Sequence, residues 1–143
     1  MTEILKKFGC PASLIGEFAY WYLLLRPQQV TFGAMVLIEK SFRLQLSEIS
    51  QESFLELRDI IGAIEGMGKM VLGYDKVNYL MLMMVDPEVH YHVIPRYAGE
   101  VKFNGELFLD HGWPGLPDFS LINACGAQTF TKLVQLLKDG LKS

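Results

Sequence analysis

At Ser50 the apolar residues of this sequence change their spacing, and that change narrows the folds open to the chain. Phe54, Leu57, Ile61, Ile64, Met67 and Val71 recur three and four residues apart, which places them on one face of an α-helix. Ser50 reads as the N-cap, Glu52 puts negative charge in the first turn, and Gly73 reads as the stop. Gly62, Gly66 and Gly68 each weaken such a helix by up to about 1 kcal/mol relative to Ala, so close packing is expected there.

The runs on either side have a different character. Residues 18–25 are aromatic and aliphatic and stop at Arg26-Pro27, as a strand does before proline. Residues 33–38 read as its partner strand, with 27–31 as the connection. Residues 76–85 are apolar on nearly every position and read as a strand covered on both faces. Asp86-Pro87 then turns the chain into a further strand at 88–97. Residues 105–119 carry several Gly and Pro and read as an ordered loop. Phe130, Leu133, Val134, Leu137 and Leu141 give a C-terminal helix. Strands, helix, strands, helix is the order of an α+β fold with an antiparallel sheet, and 143 residues are one domain's worth, 1–143.

Half the residues are hydrophobic and 20% are charged, the composition of a folded globular chain. A net charge of -3 argues against a basic nucleic-acid-coating face, though a small phosphorylated ligand needs only local positive charge. The two cysteines, Cys10 and Cys125, match no metal or redox spacing and read as reduced, packed thiols. Nothing resembles a signal peptide, and runs such as 20–25 and 79–85 are too short to cross a bilayer, so a soluble cytoplasmic protein is expected. Met70, Met81, Met83 and Met84 read as core.

Chemistry concentrates in the strand at 88–97. Alternate side chains of a strand share a face, so Glu88, His90 and His92 point one way while Val89, Tyr91 and Val93 point the other. The two histidines then stand about 7 Å apart, anchored by an apolar reverse face. With His111 these groups also form a set of zinc-compatible side chains, but residues two apart on one strand only partly satisfy a tetrahedron, and no metal is expected.

The stretch Val89-His90-Tyr91-His92-Val93-Ile94-Pro95-Arg96 resembles the last two histidines and the tail of the motif of the histidine-triad (HIT) superfamily. The resemblance extends upstream through Lys76-Val77-Asn78-Tyr79-Leu80 and Pro87, and covers about residues 18–97. It implies a five-stranded antiparallel sheet with one long helix, and a homodimer in which two sheets become continuous. It also implies a small nucleotide ligand, no cofactor and no metal. His90 would be the nucleophile that attacks the α-phosphate, and His92, best as imidazolium, would bind phosphate or the leaving oxygen. Asn78 would donate to a phosphate oxygen, and Trp113, in the glycine- and proline-rich segment 110–115, would form a lid or base-stacking wall.

Two positions depart from the family pattern. Glu88 stands where the first triad histidine is expected, beside the substrate, and Ala34 stands where many members carry another histidine. A carboxylate there favours protonated imidazole and repels phosphate. The resemblance therefore implies either a hydrolase or nucleotidyl transferase, or a catalytically weak nucleotide-binding protein that keeps the fold. Arg96 is expected in a salt bridge at the sheet edge.

Overall fold

The computed structural model describes residues 1–142. In chain order the elements are α1 (Glu3–Lys7), β1 (Leu14–Glu17), β2 (Trp21–Leu25), β3 (Met35–Glu39), α2 (Gln51–Leu72), β4 (Lys76–Leu80), β5 (His90–Arg96), β6 (Val101–Phe103), β7 (Glu106–Phe108) and α3 (Ala127–Lys142). The main sheet has five strands in the order β1-β2-β3-β5-β4, with antiparallel neighbours. The expected α+β architecture, with its long helix and C-terminal helix, is the one the chain adopts.

The long helix starts and stops where its sequence signals place the ends. Ser50 Oγ accepts the backbone N–H of Ser53 at 3.1 Å. Gly73 takes a left-handed φ of 69° and its N–H donates to the Lys69 carbonyl, a conformation only glycine enters at little cost. The buried stripe, however, is Ser53, Leu57, Ile60, Ile64 and Met67, with Phe54 exposed. Ser53 draws the helix round. Its carbonyl accepts Trp21 Nε1 at 2.8 Å and its hydroxyl donates to the buried Glu39 carboxylate at 2.8 Å, so Ser53 rather than Phe54 faces the sheet. Of the three glycines within α2, Gly68 meets a neighbour closely: a Cβ there would lie 3.0 Å from the Tyr74 ring, while Gly62 and Gly66 face open space.

The sheet has a different cover on each face. Trp21, Leu23, Leu25, Met35, Leu37 and Val93 join α2 and α3 in the main core. On the reverse face Leu24, Val36 and Ile38 receive Ile4, Leu5 and Phe8 from α1 and the residue after it. Further along that face, Val30, Ala34 and Ile94 pack with Leu80 and Phe119.

Several expectations are corrected. The run at 76–85 is not one strand covered on both faces. Strand β4 ends at Leu80 and pairs only with β5, so it is half-buried, and Met83 at a φ of 51° breaks the extended chain beyond it. Leu82, Met84 and Val85 are exposed. Of the four methionines read as core, Met81 and Met83 pack against the main cluster, while Met84 is 82% exposed and Met70 86%. At the start of the expected loop, β6 and β7 form a hairpin across Asn104-Gly105, both at positive φ, with only β7 inside the 105–119 segment. That dipeptide is a strong local hairpin signal in the sequence. Strand β1, four residues long, was also not anticipated.

Candidate functional site

Strand β5 carries the histidines on the face away from α2. His90 pairs with Ile38, and His92 lies between Val36 of β3 and Leu80 of β4. This face is not open. Residues Phe8, Arg26, Asp86 and Phe119 close around the histidines and leave a cavity of about 430 Å3, completed by Lys7, Pro27, Gln28 and the segment 82–85.

The rings set the geometry. The His90 and His92 ring centroids are 4.9 Å apart, edge to face. Phe8 lies 6.3 Å from His90 and 6.2 Å from His92, and Phe119 lies 5.6 Å from His92 on its other flank. The Arg26 guanidinium occupies the same interval, 5.9 Å from the Phe8 ring centroid and 5.2 Å from that of Phe119.

His90 has a defined tautomer. Its Nδ1 is 2.6 Å from the backbone carbonyl of Glu88. A carbonyl only accepts, so Nδ1 carries the hydrogen, and Nε2 is the nitrogen with a lone pair to offer when the ring is neutral. His92 is buried at 7% exposure and its Nδ1 has no hydrogen-bond partner among the described residues. Burial, reinforced by Arg26, His90 and Lys7 and opposed by Asp86, pushes its pKa down to about 4. His92 is therefore neutral at pH 7, not the imidazolium expected from the resemblance. The cation beside the histidines is Arg26, whose pKa burial lowers only to about 10 while Asp86 opposes the shift.

Local structure explains how Arg26 reaches the site. Arg26 directly follows β2 and precedes Pro27, and the loop it opens is held from within by Gln29. The Gln29 amide donates to the carbonyls of Arg26 at 2.8 Å and Ala34 at 3.0 Å, and its oxygen accepts Gly33 N–H at 2.8 Å. Asn123 stitches the distant 109–123 segment to that loop, through bonds to the Gln29 carbonyl at 3.0 Å and to both backbone groups of Leu109 at 2.9 Å. This seam carries Phe119 to the cavity. On the opposite side Lys7 binds Asp86 at 2.8 Å, which ties the N-terminal segment to the cavity rim.

The other expected site residues lie elsewhere. Asn78 shares the histidine face but does not line the cavity, and its Oδ1 accepts Arg96 Nη1 at 2.8 Å. Arg96 is itself paired with Asp110 through Nε–Oδ2 at 2.7 Å and Nη2–Oδ1 at 3.1 Å, the salt bridge foreseen for it, though buried. Glu88 stands outside β5, because the strand begins at His90, and it is absent from the cavity wall. Its contribution to His90 is a main-chain carbonyl, which any residue supplies, and the carboxylate near the histidines is Asp86. Trp113 does not line the cavity, and the aromatic wall from that loop is Phe119. Ala34 is buried under Ile94 and Val30. Among the described residues no three His, Cys, Asp or Glu side chains are grouped to hold a metal ion, and no helix is long and apolar enough to cross a membrane.

Phe8, Arg26, Asp86 and Phe119 were missed from the sequence. Arg26-Pro27 marked a strand end, but nothing local shows that this end faces the histidines.

The fold matches solved structures of histidine-triad proteins. One from Sinorhizobium meliloti superposes with a TM-score of 0.77 at 18% identity, over 98% of this chain and 95% of that one. One from Bradyrhizobium japonicum gives 0.73 at 16% identity, over 99% and 96%. A diadenosine triphosphate hydrolase from Plasmodium falciparum gives 0.64 at 11% identity, over 90% and 76%. No protein-family model matches the sequence, and comparison with curated proteins found no match. The chain has the histidine-triad fold, as its residues 76–96 led one to expect.

Proposed function

We propose that this protein is a nucleotide hydrolase or nucleotidyl transferase of the histidine-triad kind, with His90 as the nucleophile. The observation that carries the reading is the 2.6 Å bond from His90 Nδ1 to the Glu88 carbonyl, which reserves Nε2 for attack in a cavity shared with His92 and Arg26. Nε2 attacks the α-phosphorus of the bound nucleotide, and the bond to the leaving group breaks as the nucleotidyl–histidine bond forms. Water then adds to phosphorus, breaks the P–N bond and releases the nucleoside monophosphate and free imidazole. His92, neutral, hydrogen-bonds a phosphate or leaving-group oxygen through a ring N–H, and positive charge comes from Arg26. The likeness to a diadenosine triphosphate hydrolase supports a nucleotide as the substrate class.

The position of Glu88 supports the active-enzyme reading over a catalytically weak nucleotide-binding protein, because no Glu88 carboxylate lines the cavity. A cytoplasmic homodimer belongs to the same proposal. The outer edge of β4 has no partner strand among the described residues, which suits extension of the sheet by a second copy.

His90→Ala should abolish turnover of adenosine phosphoramidate or a dinucleoside polyphosphate, and wild-type protein quenched during turnover should carry a nucleotide adduct on His90 by mass spectrometry. Full activity in His90→Ala overturns the mechanism.

A further inference from the structure

We infer that Arg26 is the anion anchor of this cavity, its guanidinium held between Phe8 and Phe119 so that it grips the phosphate oxygens of an organic phosphate. The assignment deepens the proposed function and rests on it in one respect, that the ligand carries phosphate.

Arg26 is only 8% exposed, and its Nε and Nη1 are buried without a hydrogen-bond partner among the described residues. A folded chain seldom leaves such donors unmet, because a desolvated cation without a counter-ion is costly. The carboxylate lining the same cavity attracts Arg26 from a distance but does not bond to it, since Asp86 is bound through both oxygens to Lys7 at 2.8 and 2.9 Å. His92, whose Nδ1 is also buried and unpartnered, lines the same cavity. Two side chains that carry unmet polar atoms therefore line one cavity, which is the polar half of a ligand site.

The chemistry of the ligand follows. A guanidinium flanked by two rings is fixed in direction and presents planar N–H donors, a geometry that suits phosphate oxygens. About 430 Å3 is more room than a bare phosphate fills, and an apolar stretch of the wall runs along Pro27, Leu82, Met83 and Val85. The organic part of a phosphate ester or anhydride has its place against that wall, with the phosphate at Arg26, His90 and His92.

The test is a thermal-shift and calorimetric titration of the full chain with inorganic phosphate, at ionic strength held constant with sodium chloride. Phosphate should raise the melting temperature of the wild type saturably. Arg26→Met should lose affinity by on the order of tenfold or more, as expected for charged hydrogen bonds. Arg26→Lys keeps the charge without the planar fork and should fall between. Without phosphate, Arg26→Met should melt at or above the wild-type temperature, because it removes an unpaired buried charge. A wild type indifferent to phosphate, an Arg26→Met variant with undiminished affinity, or one that melts well below the wild type would each overturn the assignment. Turnover of adenosine phosphoramidate is read on the same wild-type preparation. Arg26-dependent phosphate binding without turnover refutes the hydrolase and leaves the anchor standing; turnover with Arg26-independent binding does the reverse.

Discussion

Acidification should destabilise this protein through His92, over a pH window set by burial of the ring. The folded pKa is about 4 against an ordinary 6.5. Between those values the unfolded chain binds a proton at this position that the folded chain refuses, so stability falls as pH falls through the window and is level above it. At about 1.36 kcal/mol per unit of pKa the difference amounts to about 3 kcal/mol, and a discount for solvent screening brings it to about 2 kcal/mol. His92→Gln removes the titrating ring while keeping a polar side chain. Urea unfolding of both proteins at several pH values from about 4.5 to 7.5 isolates the contribution as the difference between them, since other titrating groups are common to both. The wild type should lose its advantage, or gain a disadvantage, of about 1–2 kcal/mol as pH drops across that range. A difference that stays constant with pH, or moves the other way, refutes the claim that the ring is buried and neutral.

Two further perturbations test the framework around the cavity. Asp110→Ala leaves Arg96 buried without its carboxylate partner and should cost about 3–5 kcal/mol by chemical denaturation, whereas Arg96→Met combined with Asp110→Leu should recover much of that loss. Gln29→Leu removes the side-chain partner of the Arg26 carbonyl and of the Gly33 N–H and should cost about 2–4 kcal/mol; it should also speed hydrogen exchange at Gly33, whose N–H loses its acceptor.

What could be read from the sequence is what depends on near neighbours along the chain. The α2 caps at Ser50 and Gly73 were legible because each is a local backbone event. The strand carrying His90 and His92 was legible because a period of two sorts side chains between faces wherever the strand lies. The same local logic failed at its margins. It extended the face to Glu88 although the strand begins at His90, and it carried β4 through Met83, where a positive φ ends the extended chain. It put Phe54 rather than Ser53 toward the sheet, because the bonds that turn the helix come from Trp21 and Glu39, over 30 and 14 residues away.

The histidines themselves were therefore set by the sequence, and their chemical state by the tertiary structure. The His90 tautomer needed the carbonyl at a bend, and the neutrality of His92 needed the cover that Phe8 brings from the N-terminal segment and Phe119 from a loop near the other end of the chain. Arg26 became the cation of the site only because Gln29 and Asn123 fold its loop onto that cover. Burial and unmet hydrogen-bond donors are relations between distant segments, and no spacing of residues along the chain encodes them.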